Sequence, residues 1–224
     1  MKSIELVVFD MAGTTVEDGG EVPAAFAAAL AEQGVTVTAE QMTAVRGAAK
    51  RQAVLELTPE GPHRAEQAAE TYAAFKKQLA ERFASGVRQV TGASETFAWL
   101  RDRGVKIALN TGFDRDITQL LVGALEWDKG VVDAVVCGDD VPAGRPAPYL
   151  IFRCMERAEA SSVRRVAVVG DTMLDLQAGH NAGVRWNIGV LSGAHTREQL
   201  SRQPYTHLIE SVAKLKAAFE PLTP

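Results

Sequence analysis

The sequence predicts an α/β protein whose core is a doubly wound parallel sheet, with an all-helical lobe inserted into it. Three observations support this prediction. Short apolar runs recur along the chain, helical patterns separate most of them, and the stretch from residue 22 to residue 86 shows helical patterns alone. Strands that alternate with helices join through right-handed crossovers, which place helices on both faces of a parallel sheet.

Six runs have the length and the β-branched, apolar character of buried parallel strands. They lie at residues 4–9, 106–110, 134–137, 165–169, 185–190 and 207–209. Helical patterns lie between them at residues 94–103, 115–125, 146–158 and 173–182. This alternation indicates the parallel core.

The stretch after the first strand contains no strand-like run. Its alanine-rich helical patterns lie at residues 23–33, 39–57 and 62–84. A lobe inserted at this point lies above the carboxyl ends of the strands, where open α/β sheets bind their ligands. We therefore predict a core domain at residues 1–17 and 88–224 and a helical cap at residues 18–87.

Composition and charge argue against several classes of protein. The 224 residues are 46% hydrophobic and 23% charged, and the net charge of −4 does not suit a nucleic-acid partner. Two cysteines, Cys137 and Cys154, do not make a disulfide scaffold. No apolar run approaches the roughly 18 residues of a membrane span, and the first residues lack a secretory signal pattern. We expect a cytoplasmic protein with no membrane partner.

Four polar segments lie at or near the predicted strand ends. Asp10 ends the first strand, and the turn through Gly13 and Thr14 lets backbone N–H groups approach an anion closely. The other three segments are Asn110-Thr111-Gly112, Gly144-Arg145-Pro146 at the opening of a helix, and Gly170-Asp171-Thr172-Met173-Leu174-Asp175. Together they predict an anion cradle that faces a cluster of carboxylates.

Such a cluster implies a cation. Carboxylates crowded around a phosphoryl group repel it unless a hard cation bridges them, and oxygen ligands of this kind suit Mg²⁺. Each segment alone is often an ordinary turn. The presence of all four segments in this order is a far more specific signal of an active site than any one of them.

The four segments resemble the motifs of the haloacid dehalogenase superfamily, whose core is Rossmann-like. The resemblance implies that Asp10 attacks phosphorus and forms an aspartyl-phosphate. It implies Mg²⁺ held by Asp10, the Ala12 carbonyl and Asp171, with Asp175 binding through water or orienting Asp171. Thr111, Gly112 and Arg145 would stabilise the phosphoryl oxygens in the transition state.

Ala12 narrows the resemblance to one subfamily of this superfamily. Most phosphatases of this superfamily have a second aspartate there, which protonates the leaving alkoxide. The segment Phe9-Asp10-Met11-Ala12-Gly13-Thr14-Thr15-Val16 closely resembles the opening of phosphonoacetaldehyde hydrolases, or phosphonatases, and Gly47-Ala48-Ala49-Lys50 is similar to their Gly-x-x-Lys. In that family the lysine condenses with the substrate aldehyde. The protonated imine then accepts the electrons of the broken C–P bond, so the missing acid is not needed.

Lys50 must be neutral to attack an aldehyde. We expect the charge of Arg46, four residues earlier on the same predicted helix face, and desolvation to lower its pKa. Arg46 is also a candidate substrate-binding residue. The family has Met near Arg46, His where this chain has Ala53, and Tyr where it has Phe113, and these departures leave a different substrate open.

Three functions therefore stay open. The first is a hydrolase that cleaves the P–C bond of phosphonoacetaldehyde or a close analogue. The second is a phosphatase for a small phosphorylated metabolite, in which Lys50 or Arg46 only binds substrate. The third is a catalytically silent binding or scaffold protein, against which the intact carboxylates argue. The resemblance also implies a homodimer formed through the cap.

Overall fold

The computed structural model describes residues 4–84 and 86–219, and within them six strands form one parallel sheet. The strands are β1 (Leu6–Asp10), β2 (Lys106–Asn110), β3 (Ala134–Val136), β4 (Val166–Gly170), β5 (Trp186–Val190) and β6 (His207–Ile209). Their order is β3-β2-β1-β4-β5-β6. All six predicted strands are confirmed, with β1 continuing through Asp10.

Helices cover both faces of this sheet. The helices of the core are α5 (Ala93–Arg101), α6 (Arg115–Ala124), α7 (Tyr149–Arg157), α8 (Met173–Ala182), α9 (Arg197–Leu200) and α10 (Leu215–Phe219). Alternate residues of the central strand face opposite ways, as a strand requires. Val7 and Phe9 pack in the cluster of α5 and α6, whereas Leu6 and Val8 pack in the cluster of α7 and α8. The doubly wound core is confirmed.

The inserted segment is helical in its described part. It contains α1 (Glu21–Glu32), α2 (Ala39–Ala44), α3 (Lys50–Leu57) and α4 (Arg64–Phe83). Helices α1 and α3 both pack on α4, and the rings of Phe26 and Phe75 lie 4.3 Å apart. The segments at its two ends pair with each other, since Glu17 N–H donates to Arg88 O and Val90 N–H donates to Thr15 O. The division into two domains at residues 17 and 88 stays a prediction.

Two predicted helices differ from the structure. The pattern at residues 39–57 predicts one helix, but the chain leaves the helix after Ala44 and begins α3 only at Lys50. Gly47, with φ +85°, lies in this break so close to Thr172 that a Cβ atom would overlap the threonine hydroxyl. Contact with the core therefore overrides the local helical preference.

The pattern at residues 146–158 also begins too early. Helix α7 starts at Tyr149, after Pro146 and Pro148, which have no N–H to donate. Arg145 therefore lies in a loop and does not open a helix. None of the helices that the structure describes has the length and hydropathy that crossing a membrane requires.

Candidate active site

Three buried aspartates meet at the carboxyl edge of the sheet. Asp10 is the last residue of β1, Asp171 directly follows β4, and Asp175 lies in the first turn of α8. Their carboxylate oxygens lie within 4.8 Å of one another. Strands β1 and β4 are neighbours at the point where the strand order reverses, which is where sheets of this kind form a crevice. The fold therefore brings together the carboxylates that the sequence predicted.

Asp171 is held from two sides. The Thr14 hydroxyl donates a hydrogen bond of 3.0 Å to Oδ1, and the Ala194 N–H donates one of 2.6 Å to Oδ2. A Cβ atom on Gly13, which has φ +86°, would lie 2.6 Å from Oδ2, and one on Gly193 would also overlap this carboxylate. Small residues on both sides thus fix the position of Asp171.

These contacts differ from those expected of Gly13 and Thr14. The Gly13 N–H donates to Val16 O at 2.7 Å, and neither residue lines the cavity described below. Gly13 and Thr14 shape the turn and hold Asp171, and their role in phosphate binding stays a prediction. Gly193 and Ala194 were not predicted, although a Ser-Gly pair shortly after a predicted strand was an available signal.

Asp175 is the third aspartate of the cluster. Its Oδ2 accepts hydrogen bonds from the N–H of Thr172 at 3.0 Å and from the Thr172 hydroxyl at 2.5 Å, while the Asp175 N–H donates to that hydroxyl oxygen in return. This capping box begins α8. Its Oδ1 faces the Nε of Arg145 at 2.9 Å. Asp175 is therefore oriented by both its own helix and a buried cation.

Arg145 bridges two of the carboxylates. Its Nη2 lies 2.7 Å from Asp10 Oδ1 and also donates to the Asn110 side chain, and its Nη1 donates to Gly47 O at 3.3 Å. The residue is 4% exposed. Burial lowers the pKa of Arg145, but the charges of Asp175 and Asp10 raise it overall, so the guanidinium stays charged. The Gly47 contact also ties the inserted segment to the core.

The cluster carries more negative charge than Arg145 balances. Burial raises the pKa of Asp10 to about 6; the Arg145 charge opposes this shift, while the Asp175 charge adds to it. Burial and the charges of Asp10 and Asp175 likewise raise the pKa of Asp171. Carboxylates of this kind become stable anions when a cation binds them. The three aspartates could hold a metal ion, and their all-oxygen donor set fits a hard divalent cation.

Lys50 enters the site from the inserted segment. It is the first residue of α3, and its backbone N–H donates to Gly112 O at 2.9 Å. The ammonium donates to Ala48 O at 3.2 Å and lies 5.1 Å from the centre of the Phe113 ring. The residue is 9% exposed. The contact between the inserted segment and the loop after β2 thus buries this lysine.

Burial lowers the pKa of Lys50 to about 8; the Asp10 charge opposes this shift and the Arg145 charge adds to it. The prediction that Arg46 shares a helix face with Lys50 is wrong, because residues 45–49 are not helical. Arg46 is also not among the largest causes of this shift. Desolvation, the second predicted cause, is the main one.

One cavity joins these groups. Asp10, Thr111, Arg145 and Asp171 all line it, as the superfamily resemblance requires. Asp18, which sequence analysis did not single out, lines it as well. It follows the predicted core boundary by one residue, and its Oδ1 accepts from Gly20 N–H at 3.1 Å. The other lining residues are Ala12, Val22, Pro23, Phe26, Met42, Val45, Arg46, Gly47, Lys50, Gly112, Phe113, Thr172 and Ala194.

A doubly wound sheet with an aspartate cluster at its switch point and a helical segment over it is the architecture of one hydrolase class. The chain belongs to the haloacid dehalogenase-like hydrolases, whose family model matches residues 4–183. It is an enzyme of that family.

Among its relatives, the phosphonoacetaldehyde hydrolase of Bacillus cereus (strain B4264) is 31% identical, over 96% of this chain and 88% of the relative. A phosphonoacetaldehyde hydrolase-like protein from Oleispira antarctica has a similar structure, with a TM-score of 0.83 and 23% identity over 98% of this chain and 92% of that one. A predicted phosphoglycolate phosphatase from Haemophilus somnus gives a TM-score of 0.81 and 18% identity over 98% and 100% of the two chains. The two structural likenesses show the fold alone.

Proposed function

We propose that the protein is a Mg²⁺-dependent, phosphonatase-like hydrolase that cleaves the P–C bond of phosphonoacetaldehyde or a close analogue. The observation that carries this proposal is Lys50. A buried lysine whose pKa is lowered to about 8 lines the same cavity as Asp10, and alanine occupies position 12. The similarity to phosphonoacetaldehyde hydrolases supports it.

The lowered pKa makes Lys50 a usable nucleophile. With a pKa of about 8, roughly a tenth of the lysine is neutral at pH 7, against less than about 0.1% at the ordinary value. The neutral Nζ attacks the carbonyl carbon, water leaves, and a protonated imine forms. The imine nitrogen is then two bonds from the carbon that carries phosphorus.

Asp10 receives the phosphoryl group. Its carboxylate oxygen forms a bond to phosphorus as the C–P bond breaks. The electron pair of that bond forms the C=C bond of an enamine, and the π pair of the C=N bond moves to the nitrogen. Protonation of the enamine carbon and attack of water on the imine release acetaldehyde and free Lys50. A second water hydrolyses the aspartyl-phosphate. This route needs no acid at Ala12, because no alkoxide leaves.

The remaining residues bind and neutralise the phosphonate. Thr111, Gly112 and Arg145 line the cavity together with Asp10 and would contact the oxygens of the phosphonate. Asp10, the Ala12 carbonyl and Asp171 would hold Mg²⁺, with Asp175 binding through water or orienting Asp171. When bound, the ion supplies the positive charge that lets a carboxylate approach a phosphonate dianion.

A second candidate is a phosphatase for a small phosphorylated metabolite. One observation favours it. Ala53 is fully buried, and the ring of Phe113 faces Lys50 without a hydroxyl, so neither position offers a group that carries protons for the aldehyde chemistry. In this case Lys50 would only bind the substrate.

The variant Lys50→Arg separates the two candidates. Arginine keeps the charge but does not form an imine at neutral pH, so release of phosphate from phosphonoacetaldehyde should be abolished. Hydrolysis of small phosphate esters should persist if the protein is a phosphatase. Lys77→Arg, an exposed site on α4, is the matched control. Normal turnover of phosphonoacetaldehyde by Lys50→Arg would contradict the imine mechanism.

Borohydride trapping tests the imine directly. Reduction in the presence of phosphonoacetaldehyde should attach the substrate carbon skeleton to Lys50, as read by peptide mass spectrometry.

We also propose, from the resemblance, a dimer formed through the inserted helices and a cytoplasmic location. Sedimentation equilibrium tests the first, and cell fractionation tests the second.

A further inference from the structure

The cavity contains a cation that the proposed reaction does not use. Arg46 lines the same cavity as Asp10 and Lys50 and is half-buried. Among residues 4–84 and 86–219, its guanidinium has no carboxylate or carbonyl partner. Its charge also lowers the pKa of the His195 imidazole, in addition to the larger effect of burial. An arginine in a substrate cavity with open donors is suited to bind an anion.

The phosphonate is not the anion that needs Arg46. That end of the cavity already has Arg145, whose guanidinium lies against Asp10 and Asp175 at the sheet edge. Arg46 comes instead from the inserted segment, on the same short turn that leads into Lys50. Arg46 and Lys50 line one cavity, so a second anionic group on a substrate that Lys50 attacks would share that cavity with Arg46.

The turn that carries Arg46 is held in place. Gly47 packs against Thr172 without room for a Cβ atom, and its carbonyl accepts from Arg145. Three residues further on, the backbone N–H of Lys50 donates to Gly112 O at 2.9 Å. Gly47 and Lys50 are therefore both anchored to the core, and these contacts fix the backbone position of Arg46.

We propose that Arg46 determines specificity, and that the preferred substrates are β-ketophosphonates that carry a carboxylate on the carbonyl carbon. This rests on the proposed function and names its substrate class. The simplest such compound, 3-phosphonopyruvate, differs from phosphonoacetaldehyde only by a carboxylate in place of the aldehyde hydrogen. Its ketone forms the same imine with Lys50. Cleavage yields the enamine of pyruvate and phosphoryl-Asp10, and the net reaction consumes one water to give pyruvate and phosphate.

The first test compares these two substrates in the wild type and in Arg46→Gln. Phosphate release is followed with Mg²⁺ present, and pyruvate and acetaldehyde are measured separately. The ratio of kcat/KM for 3-phosphonopyruvate over phosphonoacetaldehyde should exceed one in the wild type. It should fall about tenfold or more in Arg46→Gln, the size of one lost charge-assisted hydrogen bond. Arg46→Lys should lose less.

Arg51→Gln is the matched control. Arg51 loses the same charge on the same segment, but its side chain is 66% exposed and pairs with Asp114 outside the cavity. The substrate ratio should be unchanged in this variant. An equal effect of Arg51→Gln and Arg46→Gln would overturn the proposal, because the ratio would then report only the overall charge of the segment.

A binding test separates this proposal from the imine chemistry. 3-Phosphonopropanoate and propylphosphonate have no carbonyl, so calorimetric titration measures the anion contact alone. The wild type should bind the carboxylate compound about tenfold more tightly than propylphosphonate, and Arg46→Gln should not. If phosphonoacetaldehyde is cleaved but neither ratio responds to Arg46→Gln, the specificity proposal fails and the proposed function stands. If neither carbonyl compound is cleaved while the binding preference persists, the proposed function fails and the anion site stands.

Discussion

The titration of Lys50 is the sharpest prediction, because the proposed chemistry needs this lysine in its neutral form. Burial lowers its pKa to about 8 from 10.5. The neutral fraction should therefore be roughly 1% at pH 6, roughly 10% at pH 7 and about half at pH 8. Imine formation should rise about tenfold from pH 6 to pH 7 and about fivefold from pH 7 to pH 8, and it should then level off.

The assay uses metal-free protein, since a bound cation would lower this pKa further. Protein in a chelator is incubated with phosphonoacetaldehyde and cyanoborohydride between pH 6 and 10.5. Mass spectrometry of the Lys50 peptide then gives the initial rate of labelling. Labelling of Lys77, which is exposed on α4, serves as the internal reference for reagent activity within the same chain.

A variant of Asp18 moves the midpoint in a known direction. The Asp18 charge raises the pKa of Lys50, so its removal in Asp18→Asn should shift the plateau to lower pH. The asparagine oxygen can still accept the N–H groups of Gly20 and Val22 at the start of α1. A labelling rate for Lys50 that keeps climbing about tenfold per pH unit above pH 8 would refute the argument, and so would a midpoint that rises in Asp18→Asn.

Three further predictions follow from the same geometry. Asp10→Asn should reduce phosphate release from every substrate by on the order of 10⁴-fold, measured with Mg²⁺ present, because no nucleophile remains. Gly193→Ala should weaken Mg²⁺ binding roughly 10- to 100-fold by calorimetry, since the new methyl group displaces Asp171, whereas Gly123→Ala has open space around it and should not. Lys50→Met should raise the free energy of unfolding by up to about 3 kcal/mol below pH 8. That gain should shrink between pH 8 and pH 10.5 and vanish only above pH 10.5, because the lysine is then neutral in both the folded and the unfolded state; urea unfolding at pH 7 and pH 10 measures the decrease.

The core was predictable because its signals are local. A parallel strand buried on both faces must be a short apolar run, and a parallel sheet puts the ends of such runs at one edge. Asp10, Thr111 and Asp171 follow three of these runs, so their meeting could be inferred before the fold was known. Arg145 was predicted from its motif, although the helix after it begins later than the pattern indicates.

The inserted segment shows where local signals fail. Residues 39–57 favour helix throughout, yet contacts of Gly47 with Thr172 and of Lys50 with Gly112 break it. These contacts join residues far apart in the sequence, and no periodicity within the segment reports them. The expected pairing of Arg46 with Lys50 on one helix face failed for this reason.

The sequence by itself determined the parallel sheet, the aspartates at its edge and the presence of a lysine in the insertion. Only the tertiary structure decided that this lysine is buried, that Asp18 and Arg46 share its cavity, and that Gly193 and Ala194 hold Asp171. The physical reason is that desolvation and charge–charge interactions depend on distances through space, whereas strand and helix patterns depend on neighbours along the chain.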